Sequence, residues 1–222
     1  EDALCAVADA AMQETGTPLP RFVIPHEGTP APAGWRPVSD LLDHADDSEL
    51  WVEVGADEPI QMMYTSGTES RPKGALLTSG SLYSHYATCI ADGEMREDMV
   101  TLHCLPLFHC AQLDCFLTPA LYLGAKSILH EKADPAPMLE AIETHGVTQL
   151  FCPPTVWIAL LRHPDFDRRD LSSLKLGYYG ASIMPTAIIE ELLNRLPEIR
   201  LFNFYGQTEM APNATILKPH DQ

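Results

Sequence analysis

The chain has 222 residues, 45% of them hydrophobic and 20% charged, the balance of a globular protein with enough apolar side chains for a substantial core. Its 14 basic residues face 31 acidic ones, a net charge of −17, and so acidic a surface repels phosphate backbones, so no nucleic-acid partner is expected. No apolar run approaches the ~20 residues that span a bilayer, so no transmembrane segment is expected either.

The first part of the chain, residues 1–60, reads as a Pro-rich and acidic connector region. Ala3 to Gln13 can form a short helix. Pro18, Pro20, Pro25, Pro30, Pro32 and Pro37 then remove backbone donors and forbid long helices, and an acidic stretch runs from Asp40 to Glu58. The chain opens at Glu1 inside that first helix, which suggests a piece of something longer.

Residues 61–222 have a regular rhythm. Ile60 to Tyr64 is a short apolar run ending in a turn rich in Gly, Ser and Thr, and Ala75 to Leu77 is another. Thr78 or Ser79 can cap a helix through about Ala91. Val100 to Leu105 reads as a strand, and Ala111 to Leu123 as an apolar helix ended by Gly124. Ala125 to His130 is a strand, and Pro135 to His145 a helix started by proline and stopped by Gly146. The pattern continues with strand Val147–Cys152, helix Pro154–Arg162, strand Leu174–Tyr179, helix Pro185–Leu196 and strand Arg200–Tyr205. This alternation predicts an α/β fold, a mostly parallel sheet flanked by helices.

The six cysteines are irregularly spaced in a chain of ordinary composition, which favours reduced thiols in a cytoplasm over a disulfide framework. Cys104, Cys110 and Cys115 lie near His103 and His109. With no CxxC knuckle and no HxxxH pair among them, buried inert thiols are favoured over zinc.

Three segments carry chemistry. Tyr64-Thr65-Ser66-Gly67-Thr68-Glu69-Ser70-Arg71-Pro72-Lys73-Gly74 follows a strand and combines hydroxyls, glycines and two cations. Such a loop can cradle a polyphosphate through backbone N–H groups, with Lys73 as a point charge, although a plain polar turn is an equal reading. It is not a Walker A loop, because Pro72 precedes Lys73 and Gly74 follows it. Asn203-Phe204-Tyr205-Gly206-Gln207-Thr208-Glu209 sits at a strand end, where open α/β sheets bind ligands. Tyr205 offers a flat face to a base, Thr208 a hydroxyl, and Glu209 a hard oxygen for Mg²⁺. Tyr178-Tyr179-Gly180-Ala181-Ser182 also closes a strand, with small residues that let backbone approach a ligand. Without a ligand, these two segments serve as a strand end with a helix cap and a tight strand-to-helix turn.

Together these segments resemble the adenylate-forming superfamily of acyl-CoA synthetases, luciferases and peptide-synthetase adenylation domains. Thr65 to Thr68 through Pro72-Lys73-Gly74 is similar to its phosphate-loop signature, Asn203 to Glu209 to its Y-G-x-T-E signature, and Leu105-Pro106-Leu107-Phe108-His109 to its PLFH segment. The wording around Glu69-Ser70-Arg71 and after His109 looks most like bacterial fatty-acyl-CoA ligases. The resemblance implies that Thr65, Ser66, Gly67, Thr68, Glu69 and Lys73 surround the β- and γ-phosphates of ATP. Gly180, Ala181, Ser182, Asn203, Phe204, Tyr205 and Gly206 would line the adenine site. Thr208 would contact the α-phosphate, Glu209 would hold Mg²⁺, and His109 would stand at the mouth of the acyl pocket. Thr68, Lys73, His109 and Glu209 are the residues expected to matter most for catalysis.

The implied reaction joins a carboxylic acid, in this reading a fatty acid, to AMP and then transfers it to CoA. Alternatives are a ligase that stops at the acyl-adenylate or loads a carrier protein, and a non-catalytic nucleotide- or acyl-binding fragment. No covalent enzyme intermediate is expected. Three positions depart from common family wording: Tyr179, Gln112 and Ser79, the first two expected near the acyl pocket and the third to affect helix capping. The resemblance also implies later elements, an aspartate for the ribose, a hinge and a mobile C-terminal domain with a lysine, which thirteen residues after Glu209 do not contain. These residues alone are therefore expected to bind ligands with little turnover, and a longer parent to be the enzyme. The sequence is silent on oligomeric state.

Overall fold

The structure is a computed structural model that describes residues 4–16, 19–25, 29–43, 46, 48–65 and 71–222. The chain divides into two compact units, Glu1–Glu53 and Val54–Gln222. In the first, helix α1 (Cys5–Thr15) ends where Gly16 adopts a left-handed conformation. Two short parallel strands follow, β1 (Phe22–Val23) and β2 (Arg36–Pro37), and then one helical turn, α2 (Ser39–Leu42). Within this unit Asp9 accepts hydrogen bonds from Arg21 (2.8 Å) and Trp35 (3.3 Å).

The second unit begins with an antiparallel hairpin, β3 (Pro59–Thr65) and β4 (Lys73–Thr78). Thr78 then caps helix α3 (Ser79–Asp92), exchanging hydrogen bonds with Ser81 in a capping box. The capping residue is thus Thr78, and Ser79 is the first helical residue. After β5 (Val100–His103) the chain forms α4 (Cys110–Gln112), a π turn (Leu113–Leu117) and α5 (Thr118–Leu123), which stops at left-handed Gly124. Strands and helices then alternate: β6 (Lys126–Leu129), α6 (Pro135–His145), β7 (Gln149–Phe151), α7 (Pro154–Arg162), β8 (Leu176–Gly180), α8 (Thr186–Arg195) and β9 (Arg200–Gly206). Strand β10 (Asn213–Leu217) closes the order β10-β9-β8-β7-β5-β6, antiparallel to β9 while the other pairs run parallel.

The parallel α/β sheet expected from the alternation is present, and two local expectations change. The segment read as one helix from Ala111 to Leu123 is interrupted by the π turn. Pro119 explains the break: without an N–H it cannot bond the carbonyl of Cys115, and its ring crowds that turn. The hairpin, in turn, is a separate two-stranded sheet rather than part of the main one.

Successive residues of the central strands point to opposite faces of the sheet. Leu150, Tyr179 and Leu201 join Met138, Leu139, Ile142, Trp157, Leu160 and Leu192 from α6, α7 and α8 in the larger core. Phe151, Tyr178, Phe202 and Phe204 face Cys89, Met95, Cys115 and Phe116 on the other side. The Tyr178 hydroxyl is satisfied there by donating to the Gly93 carbonyl at 2.7 Å. No helix among the described residues is long and apolar enough to cross a membrane.

Candidate active site

Because β6 pairs on one side of β5 and β7 on the other, connections leave the sheet in opposite directions at the C-terminal ends of β5 and β7. Such a switch opens a crevice where ligands bind in α/β folds. The segment Cys104 to His109 emerges there, and the ends of β8 and β9 lie alongside.

At the end of β8, Gly180 is paired with Phe204 of β9. A Cβ at Gly180 would lie 2.3 Å from the Phe204 carbonyl oxygen, so only glycine lets the strands meet here. Ala181 follows at φ 64, a left-handed conformation that costs an L-residue about 1 kcal/mol and turns the chain sharply out of the sheet. Gly180, Ala181, Ser182, Asn203, Phe204, Tyr205 and Gly206, all expected at the adenine site, line one cavity of about 430 Å³. Tyr205 is 67% exposed, its ring free to stack, whereas Phe204 is buried. Ile183, Met184 and Leu217 also line this cavity and escaped the sequence reading. Leu217 belongs to β10, whose five-residue run Asn213–Leu217 was the available signal.

A second cavity of about 170 Å³ adjoins the first. Cys110, Ala111, Cys115, Phe116 and Phe151 line it on the apolar side, and Gln207, Thr208 and Asn213 on the polar side. Ala181, Phe204 and Gly206 belong to both cavities. Of the apolar residues from Cys110 to Leu117, Cys110, Ala111, Cys115 and Phe116 line this cavity, and Leu113 and Leu117 are not among its lining. Gln112 and Tyr179 are not among the residues lining this cavity. Tyr179 lines the larger cavity. Gln112 is buried and donates from Nε2 to His103 Nδ1 at 2.8 Å, while His103 Nε2 lies 3.2 Å from Ser127 Oγ. Burial pushes the His103 pKa down to about 4, so this imidazole is neutral and structural.

His109 is exposed, caps α4 and packs its ring against Phe108 with centroids 5.0 Å apart. The next residue, Cys110, is tied to Thr208 by a 3.2 Å contact between Sγ and Oγ1, which brings the PLFH segment to the Thr208–Met210 turn. Burial raises the Cys110 thiol above its ordinary range, so it stays protonated. Glu209 is exposed on that turn and makes no ion pair among the described residues. An exposed, unpaired carboxylate beside a hydroxyl is a donor set that suits a magnesium ion also held by a ligand's phosphates.

The hairpin supplies the remaining groups. Thr65 and Lys73 are paired at the end of the hairpin where β3 passes over to β4, and Lys73 is exposed. Ser66, Gly67, Thr68 and Glu69 lie outside the described residues. Met63 and Leu77 anchor the hairpin by packing with Leu82, Cys110 and Ala211, two residues beyond Glu209. Thr65, Lys73, His109, Thr208 and Glu209 thus stand on elements joined through one small apolar cluster. The five residues considered for zinc do not converge: Cys104 lies 4.0 Å from Cys152, His103 bonds Gln112, and Cys110 touches Thr208.

The family model for "AMP-binding enzyme" matches residues 8–222. The chain is similar to feruloyl-CoA synthase of an Amycolatopsis species, 37% identical over 176 residues that cover 79% of this chain and 35% of the relative. It is also similar to the medium/long-chain-fatty-acid–CoA ligase FadD8 of Mycobacterium tuberculosis, 36% identical over 169 residues, 76% of this chain and 29% of that one. Among solved structures, ATP-bound MatB from Rhodopseudomonas palustris superimposes with a TM-score of 0.74 at 26% identity, over 82% of this chain and 35% of the other. The chain spans about a third of the length of these proteins.

Proposed function

The chain belongs to the AMP-binding enzyme family, in its acyl/aryl-CoA ligase branch, and on that premise we propose that its parent activates a carboxylic acid with ATP and passes the acyl group to CoA. The observation that supports this reading is the pair of adjoining cavities with one shared wall, a polar mouth at Thr208 and a cation-bearing hairpin anchored beside it. Residues 61–222 form the nucleotide-binding core in this proposal. The larger cavity takes the adenine of ATP against Tyr205, and MatB, an ATP-bound relative in fold and sequence, supports that choice.

A carboxylate oxygen forms a bond to the α-phosphorus, and the bond from that phosphorus to the bridging oxygen breaks, so pyrophosphate leaves with the electron pair. Lys73 and the hydroxyl loop from Thr65 to Glu69 neutralise the charge that gathers on the leaving group. Thr208 donates to the α-phosphate, and His109 orients the incoming acid at the mouth of the smaller cavity. Glu209 would hold Mg²⁺, which supplies Lewis-acid stabilisation of phosphate charge when bound. A CoA thiol then displaces AMP. A cytoplasmic setting goes with this proposal, since thiols such as Cys104 and Cys152, 4.0 Å apart, suit a reducing compartment.

The acid has an apolar body. A fatty acid is the reading from sequence, and FadD8 supports it. An aryl acid is a second reading, supported by feruloyl-CoA synthase and by Phe116 and Phe151, which stack 4.3 Å apart and both line the smaller cavity. ATP–pyrophosphate exchange by the intact protein tests the site. Lys73→Ala and Glu209→Ala should each lower it about 100-fold or more, and unaltered exchange in both overturns the assignment. Thioester formation with CoA separates this reading from a ligase that stops at the adenylate or loads a carrier protein. A panel of fatty acids of rising length beside cinnamic-type acids separates the two acid classes.

A further inference from the structure

A cluster of ligating side chains lies behind the smaller cavity, among residues the nucleotide reading does not use. His85 and Cys89 sit four residues apart on α3 and so on one face of it. Cys115 meets them from the π turn. One ligand atom from each residue lies within 4.8 Å of the other two. All three are buried, with exposures of 6%, 0% and 4%.

We propose that His85, Cys89 and Cys115 form a buried binding site for a thiophilic divalent cation of the zinc class, which clips α3 to the π turn. Two ligands of a tetrahedral zinc ion, one sulfur and one nitrogen, stand about 3.5 Å apart. His85 Nε2 and Cys89 Sγ are already 3.4 Å apart. Cys115 supplies the third ligand atom, within 4.8 Å of both.

The donor set and its surroundings select the ion. Two thiolates and a neutral imidazole exclude magnesium and calcium, which take oxygen ligands. With a doubly charged ion the site carries no net charge, which suits walls built from Met95, Met99, Phe116, Tyr178, Phe202 and Phe204. The nearest carboxylate, Asp114, accepts from Gln61 at 2.8 Å and from Tyr86 at 3.3 Å and is engaged elsewhere. The fourth position is thus left to a small exogenous ligand. Since Cys115 and Phe116 line the smaller cavity, the ion would fix that cavity's rear wall.

The test uses the intact protein, stripped with a chelator and titrated with Co²⁺. One equivalent should produce the thiolate-to-cobalt charge-transfer absorption, and one equivalent of Zn²⁺ should abolish it. Cys89→Ser and Cys115→Ser should each weaken Co²⁺ binding about 100-fold or more, while Cys104→Ser leaves it unchanged. Absence of the band in the native protein, or its persistence in both cluster variants, overturns the proposal. Should those variants fail to fold, pulsed alkylation of the native chain decides. Zn²⁺ should slow modification of Cys89 and Cys115 selectively. Slowing that is absent, or shared equally by Cys104 and Cys152, overturns it as well.

Discussion

The ends of β8 and β9 and the β3–β4 hairpin both serve the nucleotide in the proposed function, yet they are held in place very differently. All five residues of β8 are buried, and its neighbours β7 and β9 run parallel on either side. The hairpin buries one residue per strand, Met63 and Leu77, and leaves most of the others exposed. The base-binding side is therefore part of the folding core, whereas the phosphate-gripping side hangs from it by a small apolar cluster. A substitution can disable either region without touching the other.

The contrast breaks most sharply at Gly180. Gly180→Ala drives a methyl into the Phe204 backbone, and it should lower unfolding free energy by more than about 3 kcal/mol in urea denaturation. Retained stability in that variant would mean that the two strand ends are not held as tightly as described.

Acid should probe the same core next. His103 is neutral in the fold, with a pKa near 4 against about 6.5 when unfolded, so the unfolded chain binds the proton more readily. Stability from this group is complete above about pH 6.5 and falls as pH drops toward 4, by on the order of 3 kcal/mol. His103→Gln should flatten that part of the stability–pH curve, and an unchanged slope would contradict the buried neutral imidazole.

The smallest effect belongs to the hairpin. Leu77→Ala should cost about 2 kcal/mol and weaken ATP binding, because it loosens the anchor against Leu82 and Cys110. Leu76→Ala, one residue away on the exposed face, should change stability by less than about 0.5 kcal/mol. Equal effects at 76 and 77, measured by denaturation and ATP titration, would erase the distinction between the two regions.

Much of this architecture is readable from local pattern. The helix from Pro135 to His145 matches the structure at both ends, because proline and glycine mark those boundaries chemically. The strands read as ending at Tyr179 and Tyr205 end one residue later, at Gly180 and Gly206. What stayed hidden depends on pairing between distant segments. Nothing in Asn213–Leu217 announces that it runs antiparallel at the sheet edge, and nothing in Pro59–Thr78 announces a separate sheet. The π turn was signalled by Pro119, a residue outweighed by the apolar run around it. Cys115 shows the same limit: His85 and Cys89 share one face of α3, but Cys115, 26 residues beyond Cys89, meets them only through packing between elements.

Ala181, Phe204 and Gly206 form a partition with a chamber on each side. Because the same three residues, the buried Phe204 among them, line both chambers, bulk that protrudes into one or retreats from it is felt in the other. In the proposed function a roomier acid chamber is therefore reached at Ala111, whereas a change at Phe116, whose ring meets that of Phe204 at 5.1 Å, carries through to the nucleotide's side.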